Sequence, residues 1–307
     1  MIVIIGAGAM GSVYAGLFAK SGAAVSVVDI WQDHIKAIQQ NGLRVSGFSG
    51  DHTAGNITAL GAEDHLPEAD LYIIATKASG VRAAARKIAR EGISAAPVLT
   101  IQNGFGSGAI AAEEISADRL LLGVAEGFGA SLKAPGHAHH SGMTRIRLGE
   151  YNGGMTERLQ SITDIWTGAG FPAESYGDID QLIWEKFVCN VTLSAACTVS
   201  GLNIAELRAE PELWQMALAC GKEAYAVGKA KGVAFSYDDP VAYVTAFADK
   251  LGEARPSMAL DHLARRPSEI DILNGMVPVL AQEVGMDAPV NHALAALVRL
   301  KEKEFNA

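Results

Sequence analysis

The sequence predicts an α/β protein in which an N-terminal doubly wound parallel sheet is followed by an all-helical domain. Three observations carry this reading. Short apolar runs alternate with helical patterns through the first half, and a glycine-rich turn joins the first run to the first helix. From about Ile179 apolar residues recur at i, i+3 and i+4 instead. At 307 residues the chain exceeds one hydrophobic core and accommodates two domains.

Ile2–Ile5 reads as a buried strand, 12–20 as a helix closed by Gly22, 24–28 as a second strand, and 33–40 as a helix that stops at Gly42. Two further β-branched runs, 71–75 and 98–101, flank an Ala-rich helix at Val81–Arg90. Three more strands, 120–125, 136–141 and 145–149, follow without intervening helices, which predicts an antiparallel edge. A short strand at 172–176 ends the first domain, 1–176. The second, 177–307, carries five long helices: Ile179–Ser200, 210–231, Pro240–Leu251, 267–284 and 290–304. Their breakers are Gly201, Gly232, Pro256 and the segment 285–289.

Hydrophobic residues make up 49% and charged residues 19%, the balance of a globular protein, and the net charge is −9. An acidic chain is a poor partner for nucleic acid or an anionic membrane, both of which need a basic face. A small anionic ligand needs only a local cation. The apolar start at 1–5 lacks the basic flank of a signal peptide, and no apolar run approaches the roughly 20 residues of a membrane helix. Three cysteines (Cys189, Cys197, Cys220), without a CxxC pair, fit a reducing compartment, so a cytoplasmic protein is expected.

The run Gly6-Ala7-Gly8-Ala9-Met10-Gly11 follows a strand and opens a helix, and Asp29 ends the next strand 23 positions after Gly6. That context makes the glycine pattern a Rossmann-type dinucleotide site. Gly6 permits the turn, Gly8 the approach of a pyrophosphate, and Gly11 close helix–strand packing, while the helix N-terminus offers free N–H groups. A carboxylate at Asp29 suits both ribose hydroxyls and repels a 2′-phosphate. No arginine lies between Asp29 and Lys36, so NAD(H) is favoured over NADP(H). Trp31 lies near the adenine or serves as a packing residue.

Four more segments can be taken together: Ala75-Thr76-Lys77; Gln102-Asn103-Gly104; Trp184-Glu185-Lys186-Phe187-Val188-Cys189-Asn190; and Pro256-Ser257-Met258 with Glu269-Ile270-Asp271-Ile272-Leu273-Asn274-Gly275. In this order and spacing the chain resembles the ketopantoate reductase (2-dehydropantoate 2-reductase) family over nearly its whole length. The resemblance implies reduction of the ketone of a 2-oxo acid by hydride from a nicotinamide nucleotide, in a cleft between a Rossmann domain and a helical domain. It implies Lys186 as the catalytic lysine and Glu269 as its supporting glutamate. Asn190 and Ser257 would bind substrate, with Ser257 at the carboxylate. Lys77 and Asn103 would bridge cofactor and substrate. Related enzymes often dimerise through their helical domains, which implies a homodimer. In two places the chain departs from the pattern. Ser194 stands where a second asparagine is usual, and Asp29 where NADPH-preferring members carry arginine near the end of the second strand. Both departures point toward the NAD-dependent D-2-hydroxyacid (mandelate-type) dehydrogenases of the same fold.

The residue types suit that chemistry. Hydride delivery to a ketone develops an alkoxide, which needs a proton or a positive field, and a lysine supplies both. Lys186, Asn190 and Ser194 are spaced i, i+4, i+8, so they share one helix face. Blander readings stand beside these. Lys186 could be a solvated surface lysine, Asn190 a satisfied core amide, and Ser194 a small packing residue. Ser257 could be a helix N-cap, and Glu269 a partner of Arg265 or Arg266 in a surface salt bridge. A dinucleotide sensor without turnover is the rival from outside enzymology. His137, His139 and His140 are expected on an edge strand without further metal ligands, so no metal is expected. Cys189 is expected to be a buried small hydrophobe, and 126–129 a loop on the cofactor side.

Overall fold

The structure, a computed structural model, describes residues 1–91 and 95–306. The chain divides into two compact units, Met1–Ile179 and Asp180–Ala307. The first contains β1 (Ile2–Ile5), α1 (Ala9–Lys20), β2 (Val25–Asp29), α2 (Gln32–Asn41), β3 (Leu43–Gly47), β4 (His52–Ala54), β5 (Ile57–Gly61), β6 (Leu71–Ile74), α3 (Val81–Arg90), β7 (Val98–Thr100), α4 (Ser107–Ala112), β8 (Leu120–Glu126), β9 (Gly129–Ala134), β10 (His137–Gly142), β11 (Arg145–Glu150), α5 (Glu157–Gly168) and β12 (Ala173–Ser175).

The main sheet runs β12-β11-β8-β7-β6-β1-β2-β5. Every pairing is parallel except β8 with β11, which supplies the antiparallel edge expected there. Its central strands are buried along their whole length, the pattern of a sheet covered on both faces. A second sheet, β4-β3-β10-β9, corrects the expectation for 136–141. That segment is not an edge of the main sheet but an inner strand of the second, parallel to β3 and antiparallel to β9.

Helix α1 packs on strands of both sheets, which is why it is buried from Gly11 to Ala19 rather than on one stripe. It starts three residues earlier than periodicity indicated, inside the glycine motif itself. Tyr14 and Phe18 on α1 make edge-to-face contacts with Trp166 of α5 at 5.1 and 4.9 Å, and Phe171 completes the cluster. α5, absent from the expected elements, is capped by Thr156, whose hydroxyl accepts the Leu159 N–H at 3.0 Å. Thr156→Ala should therefore lower stability by about 1 kcal/mol. An unchanged denaturation midpoint would refute the cap's role.

The second unit is helical: α6 (Ile179–Ser200), α7 (Ile204–Ala209), α8 (Pro211–Ala230), α9 (Pro240–Leu251), α10 (Ser257–Leu263), α11 (Met276–Glu283) and α12 (Pro289–Lys303). Proline opens α8, α9 and α12, where its missing N–H has no helical acceptor to lose. The continuous helix expected over 267–284 does not form. A 3₁₀ turn at Ile270–Ile272 is followed by a fresh start at Met276. Pro278 accounts for the restart: mid-helix it would remove a hydrogen bond and clash with the preceding turn, whereas here it lies in the first turn. Asn274 holds the break, fully buried, its amide donating to Val191 O at 2.7 Å and Asn291 Oδ1 at 2.8 Å. Among the described residues α6 alone has the length and hydropathy of a membrane span, yet 78% of that window is buried inside the protein.

Candidate active site

The dinucleotide half is built at the carboxyl ends of adjacent strands. After β1 the chain turns at Gly6, whose φ of +101° is left-handed; a Cβ there would lie 2.6 Å from Thr76 N. A Cβ on Gly11 would lie 1.9 Å from Gly6 O, so α1 can sit this close only with glycine at that position. Gly8 differs, because a Cβ there would meet nothing within 4 Å. The first helical bond runs from Ser12 N–H to Gly8 O, 2.9 Å. The N–H groups of Ala9, Met10 and Gly11 therefore precede the ladder and point out of the helix N-terminus. Open space before unpaired donors at a positive dipole end fits a pyrophosphate.

Asp29 ends β2, half-buried. Its Oδ2 accepts the Ala7 N–H at 2.6 Å and its Oδ1 the Trp31 N–H at 2.9 Å. Each oxygen keeps a further lone pair, the capacity two ribose hydroxyls require. Trp31 serves in packing and keeps a free face as well, because it stacks on His34 (centroids 5.2 Å, planes 11° apart) and remains 40% exposed. Lys77, exposed, follows β6, and its carbonyl accepts the Gly80 N–H. Asn103, half-buried, follows β7, and the neighbouring Gln102 ties the two turns together by donating to Ile74 O at 2.6 Å. Residues 6–11, Asp29, Lys77 and Asn103 thus stand at the ends of β1, β2, β6 and β7, where the strand order reverses. That switch point is where open α/β sheets bind ligands.

In the second unit Lys186 and Asn190 lie one turn apart on α6 and are half-buried. Ser194, a turn further on, is buried at 5% exposure. The residues around Lys186 — Trp184, Glu185, Phe187 and Val188 — are all buried, so this lysine is not one of a solvated row. The adjacent carboxylate of Glu185 is held elsewhere, accepting from Ser236 N–H (2.7 Å), Gln181 (3.1 Å) and the Tyr243 hydroxyl (3.4 Å). Glu269 is half-buried immediately before the 3₁₀ turn, not on a long late helix. Arg266 is paired with Asp261 and Arg265 donates to Glu304 O. Ser257 is exposed at the first position of α10. The cap residue is Pro256, so the N-cap reading of this serine is replaced.

The three histidines of β10 hydrogen-bond serines: His137 to Ser46 at 2.8 Å, His139 to Ser46 at 3.3 Å and His140 to Ser49 at 3.1 Å. Among the described residues no group of three or more His, Cys, Asp or Glu is placed to hold a metal. Burial pushes the thiols of Cys189, Cys197 and Cys220 up, away from nucleophilic chemistry. Residues 126–129 form a tight β8–β9 connection at the carboxyl end of β8, the side on which the dinucleotide residues stand. Phe128 there packs on Tyr14 and His140, and Glu126 pairs with Arg147 at 2.9 Å. Three supporting side chains had no role assigned from sequence: Gln102, Asn274 and His34. The first two stand inside the quoted motif segments, which is the signal that could have found them.

With this geometry in view, comparison with known proteins is decisive. Residues 2–153 match the family model described as ketopantoate reductase PanE/ApbA, and 178–302 match its C-terminal counterpart. The chain belongs to the ketopantoate reductase family. Like other members of that family, it is an α/β chain with a helical C-terminal region. It is 30% identical to a 2-dehydropantoate 2-reductase of Archaeoglobus fulgidus, covering 97% of this chain and 96% of that one. A 2-dehydropantoate 2-reductase of Geobacter metallireducens superposes at TM-score 0.89 with 27% identity, covering 98% of this family member and 99% of that chain. A ternary structure of D-mandelate dehydrogenase with NADH and anilino(oxo)acetate superposes at TM-score 0.91 with 25% identity over the full length of both chains.

Proposed function

We propose that the chain is an NADH-preferring reductase of 2-oxo acids. The oxidoreductase class rests on the family match across both units, to which the curated 2-dehydropantoate 2-reductases belong. The observation that carries the chemistry is the lysine on α6, half-buried among buried neighbours with Asn190 one turn on. A bound dihydronicotinamide supplies the hydride. As the ketone carbon accepts it, Lys186 Nζ–H donates to the carbonyl oxygen and passes it a proton, yielding the alcohol. Glu269 keeps the lysine cationic and oriented. Asn103 and Ser257 hold the substrate carboxylate, Asn190 its neighbouring oxygen, and Lys77 bridges cofactor and substrate. Asp29 holds the adenosine ribose.

The substrate of first choice is ketopantoate. Ser194 supports a second reading, a 2-oxo acid with a bulky side chain. A serine where the family pattern has asparagine leaves less polar surface for a distal hydroxyl, and one close structural neighbour is a D-mandelate dehydrogenase. NADH is favoured because Asp29 would face the 2′-phosphate of NADPH. This reading includes a cytoplasmic homodimer. Leu260, Leu263, Leu297 and Leu300 on α10 and α12, all more than 45% exposed, supply apolar surface for the dimer.

A fluorescence titration should give a Kd for NADH at least about tenfold below that for NADPH, the scale of one charge conflict near a protein surface. NADH oxidation should then be measured with ketopantoate and with phenylglyoxylate. Turnover with neither would overturn the reductase reading, and tighter NADPH binding would remove Asp29 as the ribose ligand.

A further inference from the structure

His34 sits on α2 with no solvent exposure, outside the motif segments quoted above, and its two ring nitrogens are both engaged. The Gly136 N–H, in the β9–β10 turn, donates to Nδ1 at 3.0 Å. Nδ1 is therefore unprotonated and the ring proton lies on Nε2, which donates to Ser12 Oγ at 3.2 Å. The Ser12 hydroxyl in turn donates to Ala7 O at 2.8 Å. The preceding peptide, Gly6–Ala7, is tied as well, since the Ala7 N–H donates to Asp29 Oδ2 at 2.6 Å. Donor follows acceptor without conflict from the β9–β10 turn through α2 and α1 into the glycine loop and on to the end of β2. Burial holds the imidazole below its ordinary range, with Asp29 opposing, so the neutral form this chain requires is the one present. The ring face has a second task, stacking beneath Trp31.

We propose that His34 is a positioning residue of the dinucleotide site: through Ser12 it fixes the peptide plane of Ala7 in the pyrophosphate loop, and through its ring it supports the Trp31 indole. The reasoning is geometric. The donors of a phosphate-binding loop act only when their N–H vectors are set before the ligand arrives. The Ala7 carbonyl shares its peptide plane with the Gly8 N–H, so rotation of that plane swings this N–H and shifts the turn that leads into the helix N-terminus. One buried side chain thus sets two parts of the cofactor site that lie on different segments. The inference rests on the reading that residues 6–11 bind a pyridine nucleotide.

The test measures NADH binding by fluorescence together with steady-state kinetics on the accepted 2-oxo acid. His34→Ala should raise the Kd and KM for NADH about tenfold, the scale of losing one to two hydrogen bonds. The KM for the 2-oxo acid, and kcat at saturating NADH, should stay within about twofold, a split that general loosening of the fold would not give. His34→Gln, whose amide can accept from Gly136 and donate to Ser12, should restore most of the affinity. Ser12→Ala removes the relay at a single atom and should raise the Kd for NADH severalfold with little change in Tm. It decides the matter if His34→Ala does not fold. Wild-type NADH affinity in folded His34→Ala or in Ser12→Ala overturns the inference, as does an equal rise in KM for both substrates. If the unaltered protein binds neither NADH nor NADPH, the dinucleotide reading itself fails, a result distinct from the others.

Discussion

Lys186→Ala should lower kcat about a thousandfold while the Kd for NADH changes by less than about twofold. The size follows from the two tasks placed on one ammonium group. Loss of a positioned proton donor costs ~10²–10⁴ in rate, and loss of a preorganised charge at a developing oxyanion costs ~10²–10³, with the two overlapping rather than multiplying. The selectivity follows from the architecture. The residues assigned to the dinucleotide — residues 6–11, Asp29, Lys77 and Asn103 — all lie in the first unit, whereas Lys186 lies on α6 in the second. Removal of the lysine leaves the loop, its helix N-terminus and the Asp29 carboxylate intact. Lys186→Arg should keep the charge but recover little turnover, because a guanidinium does not release a proton in this pH range. Stopped-flow measurement of hydride transfer would separate chemistry from product release. Turnover near the unaltered rate in Lys186→Ala would remove the lysine from the mechanism.

The parts of the fold legible in the sequence were those whose pattern is set by burial alone. β1, β6 and β7 are short apolar runs because both faces of a parallel sheet are covered, and α6 reads as a helix because it is long. The second sheet was hidden for the opposite reason. β3 alternates buried and exposed residues through Leu-Arg-Val-Ser-Gly, and β4 has only three residues, His52–Ala54. Neither gives an apolar run, and the pairing of β3 with β10 spans nearly a hundred residues of sequence. α5 does carry a signal in the sequence, for Thr156 is a cap and Leu159, Ile162 and Trp166 keep helical spacing. The break before α11 was likewise signalled by Pro278.

The candidate site divides along the same line. Asp29 and residues 6–11 could be placed because each is demanded by strand, turn and helix geometry within one local stretch. Lys186 and Asn190 needed the resemblance, since a lysine and an asparagine one turn apart carry no signal of their own. His34 could not be found either way. Its importance lies in contacts with Ser12 and Gly136, the latter 102 residues distant, and only the folded chain brings those groups to its two nitrogens.

The second large effect is expected at the glycine loop, where two neighbouring substitutions should fail for different reasons. Gly11→Ala places a Cβ 1.9 Å from Gly6 O and 3.3 Å from the Ala75 side chain. Backbone cannot yield cheaply, so α1 must shift away from β1, and α1 is the helix buried against both sheets. A loss of ~3 kcal/mol or more is expected, seen as a Tm lower by several degrees, with NADH binding weakened at least a hundredfold in whatever remains folded. Gly8→Ala should leave Tm unchanged. Its backbone (φ −63°, ψ −168°) is open to alanine and the added methyl meets no protein atom within 4 Å. That methyl stands in the space before the helix N-terminus, so NADH affinity should still fall steeply. Measuring Tm and Kd for both variants separates the structural demand at Gly11 from the ligand's demand at Gly8. Unchanged NADH affinity in Gly8→Ala would mean that the pyrophosphate does not lie on this loop.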